Sequence, residues 1–276
     1  MKKSKYKWIS AIVAILLSIV SAFFIISLER TLSFQVIDTS SNNSSWLLTQ
    51  PIAQKGYHSQ EVLENSIESF LAAIKKGYAI KMDLALTLDN QVVVVDYEFF
   101  SKNSPNNKSI STYTLEELPQ ISFLEKSYDI PTLKDALAVI DRQTPILFNI
   151  QTKDLSHKID QLTYDIIKDY KGPIALESKN PISIKWFAQN APDLPRGIIL
   201  YGDFSLDIFN RFFDNIKIMY SKPNFVAYKY ENLAKTDFSQ ARSKGLIVLG
   251  WTAKEEVLTT REFTDYCDNI ILEAQD

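Results

Sequence analysis

Proton transfer near neutral pH calls for histidine, and chemistry on a divalent metal calls for clustered carboxylates. This 276-residue sequence offers few of either. The stretch "PIAQKGYHSQEVLENSIESF", residues 51–70, brings together Gln54, Lys55, His58 and Glu64. Lys81 and Asp83 stand in "AIKMDLAL", Asp96 follows "VVVV", and Gln151 and Lys153 follow "PILFNI". Glutamine exchanges no proton, and an exposed Asp96 is ionised at pH 7 with none to give. His58 is either an exposed loop residue or a displaced catalytic group. His157, in "LSHKIDQL", reads as a surface residue. Asp83 with Glu64 makes too few anionic ligands for a hard dication. At an effective dielectric of ~20, Lys81 at short range would repel one by several kcal/mol. No metal is therefore expected. The ammonium of Lys81 is expected to pair with Asp83, and with Asp96 or Glu64.

Short apolar runs recur along the chain: "PIA" at 51, "AIKMDLAL" at 79, "PILFNI" at 145, "PIALE" at 173, "GIILY" at 197, "NFVAY" at 224, "LIVLG" at 246 and "NIILE" at 269. They lack strict alternation, as strands of a parallel sheet buried on both faces do. Amphipathic segments lie between them. In "NSIESFLAAIKKG", Ile67, Phe70, Leu71 and Ile74 form the apolar face and Gly77 is the C-terminal cap. Eight such units predict an α/β fold, a TIM (β/α)8 barrel, over residues 46–276. "VVVV" at 92–95 predicts a hairpin on the second strand, followed by an excursion over residues 98–129. In such a barrel chemistry is built at the C-terminal strand ends. Lys55, Lys81, Lys153 and Lys179 then face the mouth, free to hold a phosphate or tied to Asp83, Asp96 and Glu98. Trp251 either packs in the last barrel layer or stacks on a ligand.

"WISAIVAILLSIVSAFFIISL", residues 8–28, carries no charge and is long enough to cross a ~30 Å hydrocarbon layer at ~1.5 Å per residue. It reads as an uncleaved membrane span, since a signal peptide's apolar core is shorter and ends in small residues. Lys2, Lys3, Lys5 and Lys7 precede it and only Arg30 closely follows, which places residues 1–7 in the cytoplasm and the barrel outside. Removing those four lysines from the formal net charge of −3 leaves −7 for residues 8–276. An acidic domain of this kind does not attract nucleic acid, and with seven glycines and no phosphate-loop pattern it does not read as a nucleotide binder. Residues 29–45, with "TSSNNSS" at 39–45, read as a flexible tether. Cys267 is the sole cysteine, so no intrachain disulfide forms, as is common in exported proteins of bacteria with one membrane, the Gram-positive type.

The sequence resembles the glycerophosphodiester phosphodiesterase family from about Pro51 to Asp276. Where the family carries H-R-G and then E-N-T, this chain has Gln54, Lys55, Gly56 and Glu64, Asn65, Ser66. E-x-D is matched by Lys81, Met82, Asp83, and L-T-x-D-G by Leu86 to Asn90. H-D falls on Asp96 and Tyr97, T-L-x-E-L on Thr114 to Leu118, and P-T-L on Pro131 to Leu133. E-x-K becomes Gln151, Thr152, Lys153; S-F-N becomes Ser178, Lys179, Asn180; W-T-V-N becomes Trp251 to Lys254. The resemblance implies two catalytic histidines, here Gln54 and Asp96, and a calcium or magnesium ion on E-x-D and E-x-K, here Lys81, Asp83 and Gln151. The scaffold motifs are kept and the chemical ones are changed.

The resemblance therefore implies a membrane-anchored barrel without catalysis. Such a barrel binds or scaffolds a glycerophosphate-type ligand of envelope lipid or teichoic acid, or another membrane protein. The candidate ligand-binding residues are Lys55, Glu64, Lys81, Asp83, Gln151, Lys153 and Trp251. The opposing expectation is an active, metal-independent phosphodiesterase using His58 with Lys55 and Asp96. In a third reading the barrel only positions its anchor among other membrane proteins.

Overall fold

The computed structural model describes residues 34–37, 44–121, 129–152, 154–202, 207–260 and 262–273, and positions 12, 14, 15 and 18. The rest of the expected span, residues 8–28, lies outside the described residues. Among the described residues no helix is long and apolar enough to cross a membrane.

In chain order the described strands are β1 (Ile52–Gln54), β2 (Ala79–Leu86), β3 (Val92–Val94), β4 (Ile146–Ile150), β5 (Ile174–Ser178), β6 (Arg196–Leu200), β7 (Phe225–Lys229), β8 (Ile247–Ala253) and β9 (Asn269–Leu272). All but β3 are parallel to their neighbours. β1 pairs with β2, Ile52 opposite Ala79, and with β9, Ile52 opposite Ile271, which closes an eight-stranded barrel. These eight strands coincide with the eight apolar runs of the sequence. β3 is the expected hairpin, antiparallel to β2 with Val94 opposite Leu84.

Side chains alternate across each strand. Ile80, Met82 and Leu84 of β2 and Ile146, Phe148 and Ile150 of β4 share a cluster with Phe70, Leu137, Ile184 and Phe187 of the surrounding helices. The alternate positions, among them Ile52, Ala79, Leu147, Ala175 and Ile271, form the barrel interior. Inward parity continues up the strands, so Gln54, Lys81, Asp83, Asn149, Glu177 and Trp251 belong to the same inner face. The fold thus places polar side chains above an apolar floor.

Helix Ile67–Lys76 opens on a reciprocal cap between Ser66 and Ser69 and ends at Gly77, whose φ of 75° is left-handed. Phe70 and Ala73 are buried and Ile67 and Ile74 pack beside them. Leu71, expected on that face, is 46% exposed. At 100° per residue it stands a quarter-turn or more from Phe70, and Ala73 takes the inward place. The excursion opens with helix Tyr97–Asn103 and continues through 3-10 turns. Phe100, Ile110 and Leu118 pack there with Val93, Val95 and Ile130 in a separate small core.

The underside corrects the expected tether. The folded unit does not start at Trp46, because residues 34–37 are docked on it. Gln35 N–H donates to the Pro223 carbonyl at 2.9 Å and Asn224 Nδ2 donates to the Gln35 carbonyl at 2.7 Å. Arg196 Nη2 donates to Gln35 Oε1. Ser44 is buried, and helix Trp46–Thr49 places Trp46 and Leu47 against the barrel interior. The remainder of "TSSNNSS" up to residue 43 lies outside the described residues. Arg196 is fully buried, its Nη1 held by the carbonyls of Pro192 and Leu194, and burial lowers its pKa. Gln35→Ala is expected to remove an acceptor from this guanidinium and to cost about 1–3 kcal/mol. Urea unfolding of residues 30–276 reads the loss; an unchanged midpoint would mean that the segment is not part of the folded unit.

Candidate functional site

The mouth is built on the C-terminal ends of β1, β2, β4 and β5 and on the loops that follow them. Register makes Gln54 the neighbour of Lys81, Asp83 the neighbour of Asn149, and Asn149 the neighbour of Glu177. Lys55 has a left-handed φ of 58°, and its carbonyl accepts from Asn65 N at 2.8 Å and Ser69 Oγ at 3.1 Å. Gly56 follows with φ 78°; a Cβ there would stand 2.3 Å from Ser69 Oγ, so only glycine lets the loop lie this close to the helix. Tyr57 Oη donates to Glu255 Oε2 at 3.2 Å, tying the loop to the segment after β8.

Two lysines occupy the mouth; Lys81 has a partner other than the expected one, while Lys55 holds Asp96, one of the carboxylates expected for it, together with Glu64. Lys81 Nζ lies 2.5 Å from Glu177 Oε1, both groups buried. Lys81 is the charged partner of this buried carboxylate. Burial raises the Glu177 pKa above the carboxylate range, and Lys81 opposes that rise without cancelling it. Lys81 therefore does not pair with Asp83, Asp96 or Glu64 as the sequence led us to expect.

The ammonium of Lys55 takes that place: it is 2.8 Å from Glu64 Oε1 and 3.6 Å from Asp96 Oδ2. Burial alone would lower the Lys55 pKa, but Asp83, Glu64 and Asp96 together hold it above the ordinary lysine value. Burial alone would raise Asp96; Lys55, the Phe99 N–H at 2.7 Å and Gln151 Nε2 at 3.0 Å outweigh it and leave the pKa lowered. Glu64 stays raised, its burial outweighing Lys55. Gln151 Oε1 also accepts from Tyr97 N at 2.7 Å, so this side chain braces the Asp96 turn.

Asp83 is enclosed by amides. Oδ2 accepts from Asn65 Nδ2 at 3.0 Å and Oδ1 from Asn149 Nδ2 at 2.6 Å, while Asp83 N donates to Asn65 Oδ1 at 3.1 Å. The divalent cation that the resemblance implies does not fit this set. Both Asp83 oxygens carry amide donors, Lys81 and Gln151 stand where carboxylates would, and the ammonium of Lys55 lies between Glu64 and Asp96. Among the described residues no three His, Cys, Asp or Glu side chains converge as a metal site.

The remaining candidates divide. His58 is half-buried and not an exposed loop residue; burial and then Lys55 lower its pKa to about 4. His157 stands at the N-terminus of helix Lys158–Ile167, with Nδ1 2.9 Å from Asp160 and its ring stacked on Trp186. Trp251 packs on the barrel interior, and its indole N–H reaches the carbonyls of Ala227 at 3.1 Å and Leu200 at 3.3 Å. Lys179 is exposed, with its Nζ 4.9 Å from the centre of the Tyr201 ring. Lys153 lies outside the described residues. Gln54 Oε1 is buried without a hydrogen-bond partner at the floor of the mouth. Sequence reasoning did not single out Glu177, Asn65 or Asn149 as site groups, though their strand parity or motif position marks the first and last as inward-facing.

Beside the ion pairs lies a pocket of about 300 Å3, lined by Asp96, Tyr97, Glu98, Asn149, Gln151 and Lys179 among others. It adjoins a groove of about 570 Å3 that shares Tyr97, Gln151 and Thr152 with it.

Comparison with known proteins agrees with this architecture. YhdW of Bacillus subtilis (strain 168) is 23% identical over 229 residues, covering 77% of this chain and 93% of that protein. A glycerophosphodiester phosphodiesterase of Caldanaerobacter subterraneus subsp. tengcongensis is 30% identical over 163 residues, 55% of this chain and 66% of that one. The solved phosphodiesterase of Oleispira antarctica, in complex with the product sn-glycerol-3-phosphate, superposes with a TM-score of 0.66 at 20% identity, covering 83% of this chain and 94% of that one. A glycerophosphodiester phosphodiesterase of Thermotoga maritima superposes with a TM-score of 0.62 at 21% identity, over 81% and 94% of the two chains. The model of the glycerophosphoryl diester phosphodiesterase family matches residues 54–271, and the chain belongs to that family.

Proposed function

We propose that this chain is a membrane-anchored, extracytoplasmic member of the family that no longer cleaves phosphodiesters and uses its barrel mouth to hold a glycerophosphate-type group of the cell envelope. The observation that carries the reading is the protonation state of the mouth. Phosphodiester cleavage needs a proton delivered to the leaving alkoxide near neutral pH. Lys55 is held protonated by its carboxylates, Asp96 is held ionised by its donors, and His58, at about 4, is neutral at pH 7. None of the three gives up a proton there. The opposing reading, a metal-independent phosphodiesterase using His58 with Lys55 and Asp96, has no general acid among those three, and Glu64, whose pKa burial raises, is tied to Lys55.

The pocket supports ligand binding. Lys179 meets a phosphate from the rim, and the amides of Asn149 and Gln151 suit glycerol hydroxyls. The Oleispira antarctica relative was solved with sn-glycerol-3-phosphate, a ligand of this chemistry. Another envelope protein is the competing occupant. The apolar, uncharged stretch at residues 8–28 and the lysines before it support the anchor and its orientation.

The test is hydrolysis of glycerophosphocholine and glycerophosphoglycerol by residues 30–276, with and without calcium or magnesium. No turnover above background is expected under any condition. Turnover that His58→Ala abolishes would overturn the reading and restore the enzyme.

A further inference from the structure

The described N-terminal segment meets the barrel on the side opposite the mouth. Pro223 and Asn224, which bond the backbone N–H and carbonyl of Gln35, immediately precede β7. Arg196, which holds its side chain, opens β6. Val36 lies over Gly245, just before β8: a Cβ there would come within 3.0 Å of it. Ile37 packs against the interior cluster. Every one of these contacts is at an N-terminal strand end, whereas Lys55, Asp96, Gln151 and Lys179 are at the C-terminal ends.

Resting on the anchor reading above, we propose that the barrel stands on its underside over the membrane, with its mouth turned away from the bilayer that anchors it. The ligand then reaches the site from the aqueous side, as a soluble or polymer-borne glycerophosphate group, and not as the headgroup of a lipid in that same bilayer. Chain length decides the orientation. Leu28 ends the apolar stretch and Phe34 begins the docked segment, six residue steps that span at most about 20 Å when fully extended. To turn the mouth to the bilayer, the chain would have to pass outward beneath a helix layer about 10 Å thick. It would then have to climb the height of a five-residue strand, about 17 Å, with the loops above it still to clear. That path exceeds the reach.

The full-length protein in vesicles of phosphatidylcholine and phosphatidylglycerol tests this. A fluorescent thiol label is placed at Lys244→Cys on the underside or at Leu88→Cys on the rim, an exposed residue of the groove beside the pocket that is not among the proposed ligand-binding residues. Cys267 is fully buried and stays unlabelled. Nitroxide carried on lipid headgroups is expected to quench the underside label several-fold more than the rim label. Raising phosphatidylglycerol in the anchoring vesicle is expected to leave the rim label unchanged, while glycerophosphoglycerol added to the medium shifts its emission. Rim quenching equal to or above underside quenching would overturn the orientation, as would a rim response to phosphatidylglycerol in the anchoring bilayer. Failure of the protein to float with the vesicles would instead overturn the anchor reading, and flotation is scored separately. A flexible insertion of about 20 residues between Glu29 and Arg30, which adds ~25 Å of root-mean-square reach, is expected to let the rim label gain quenching.

Discussion

Lys81→Met is expected to destabilise the barrel by about 3–5 kcal/mol, the cost of leaving one member of a buried ion pair unpaired. Glu177 is cut off from solvent, and Lys81 is its only charged contact within salt-bridge distance among the described residues. The penalty depends on pH in a defined direction. Burial already raises the folded-state pKa of Glu177 above its unfolded value, and removing Lys81 raises it further. A group raised in this way favours the folded state fully below the unfolded carboxylate pKa and loses that contribution as pH climbs through the folded value. The variant should therefore be least stable at neutral and alkaline pH and recover towards wild type as the solution is acidified. Urea midpoints across that range read the effect. Lys81→Met with Glu177→Leu should recover most of the loss at pH 7, since paired apolar replacements of a buried ion pair are often neutral or better. A single variant as stable as wild type at pH 7 would show that the pair is not buried as described.

Restoring the family's chemical residues together should give a metal-dependent phosphodiesterase where the natural chain is proposed to have none. The set is Gln54→His, Lys55→Arg, Lys81→Glu, Asp96→His, Tyr97→Asp and Gln151→Glu. It returns a proton donor and acceptor to the ends of β1 and β3 and carboxylates to the positions flanking Asp83. Reverting either new histidine should lower the rate by about 10²- to 10⁴-fold, the range typical of one general acid or base. Stability should move with the metal as well. Lys81→Glu places a second carboxylate beside buried Glu177 with no ammonium between them, so the variant should melt lower in chelator and higher in calcium, the linkage expected when an ion binds only the folded state. Wild type should show no such shift. Hydrolysis of glycerophosphoglycerol and a melting curve at several calcium concentrations check both expectations. A restored protein that binds calcium without turnover would confine the error to the histidines.

The barrel was legible because its signal is redundant. Eight apolar runs without alternation, separated by amphipathic segments, can close in few ways, and "VVVV" after a turn could hardly be anything but the hairpin on β2. Leu71 misled because hydrophobicity alone does not fix the phase of a helical stripe; Ala73, a small residue, holds the inward position. The docking of residues 34–37 was missed although Phe34, Val36 and Ile37 are apolar, because the run is only four residues long, lies next to the polar "TSSNNSS", and is held by Arg196 and Asn224, far away in sequence.

At the mouth, the changed identities at the family's chemical positions could be read directly, but the pairing of charges could not. Lys81 and Asp83 share a strand face two residues apart, which suggested an ion pair. The barrel's register instead turns Asp83 to Asn149 and brings Glu177 to Lys81. Glu177 sits at the end of a run read for its apolar residues, and its inward parity with Ala175 was the available signal. The left-handed backbone at Lys55, which aims its side chain between Glu64 and Asp96, carries no local sequence mark beyond the glycine that follows it.

The docked segment also has a mechanical consequence. β1 is only three residues long and joins the two ends of the sheet, so it is the seam along which the barrel would unzip most easily. A pull transmitted from the N-terminal side first loads the bonds of Gln35 to Pro223, Asn224 and Arg196, on strands remote from that seam. The segment acts as a strain relief, like the clamp that keeps a tug on a cable from reaching its solder joint. In single-molecule stretching it should rupture as a small early event, with the seam intact until a later and larger one.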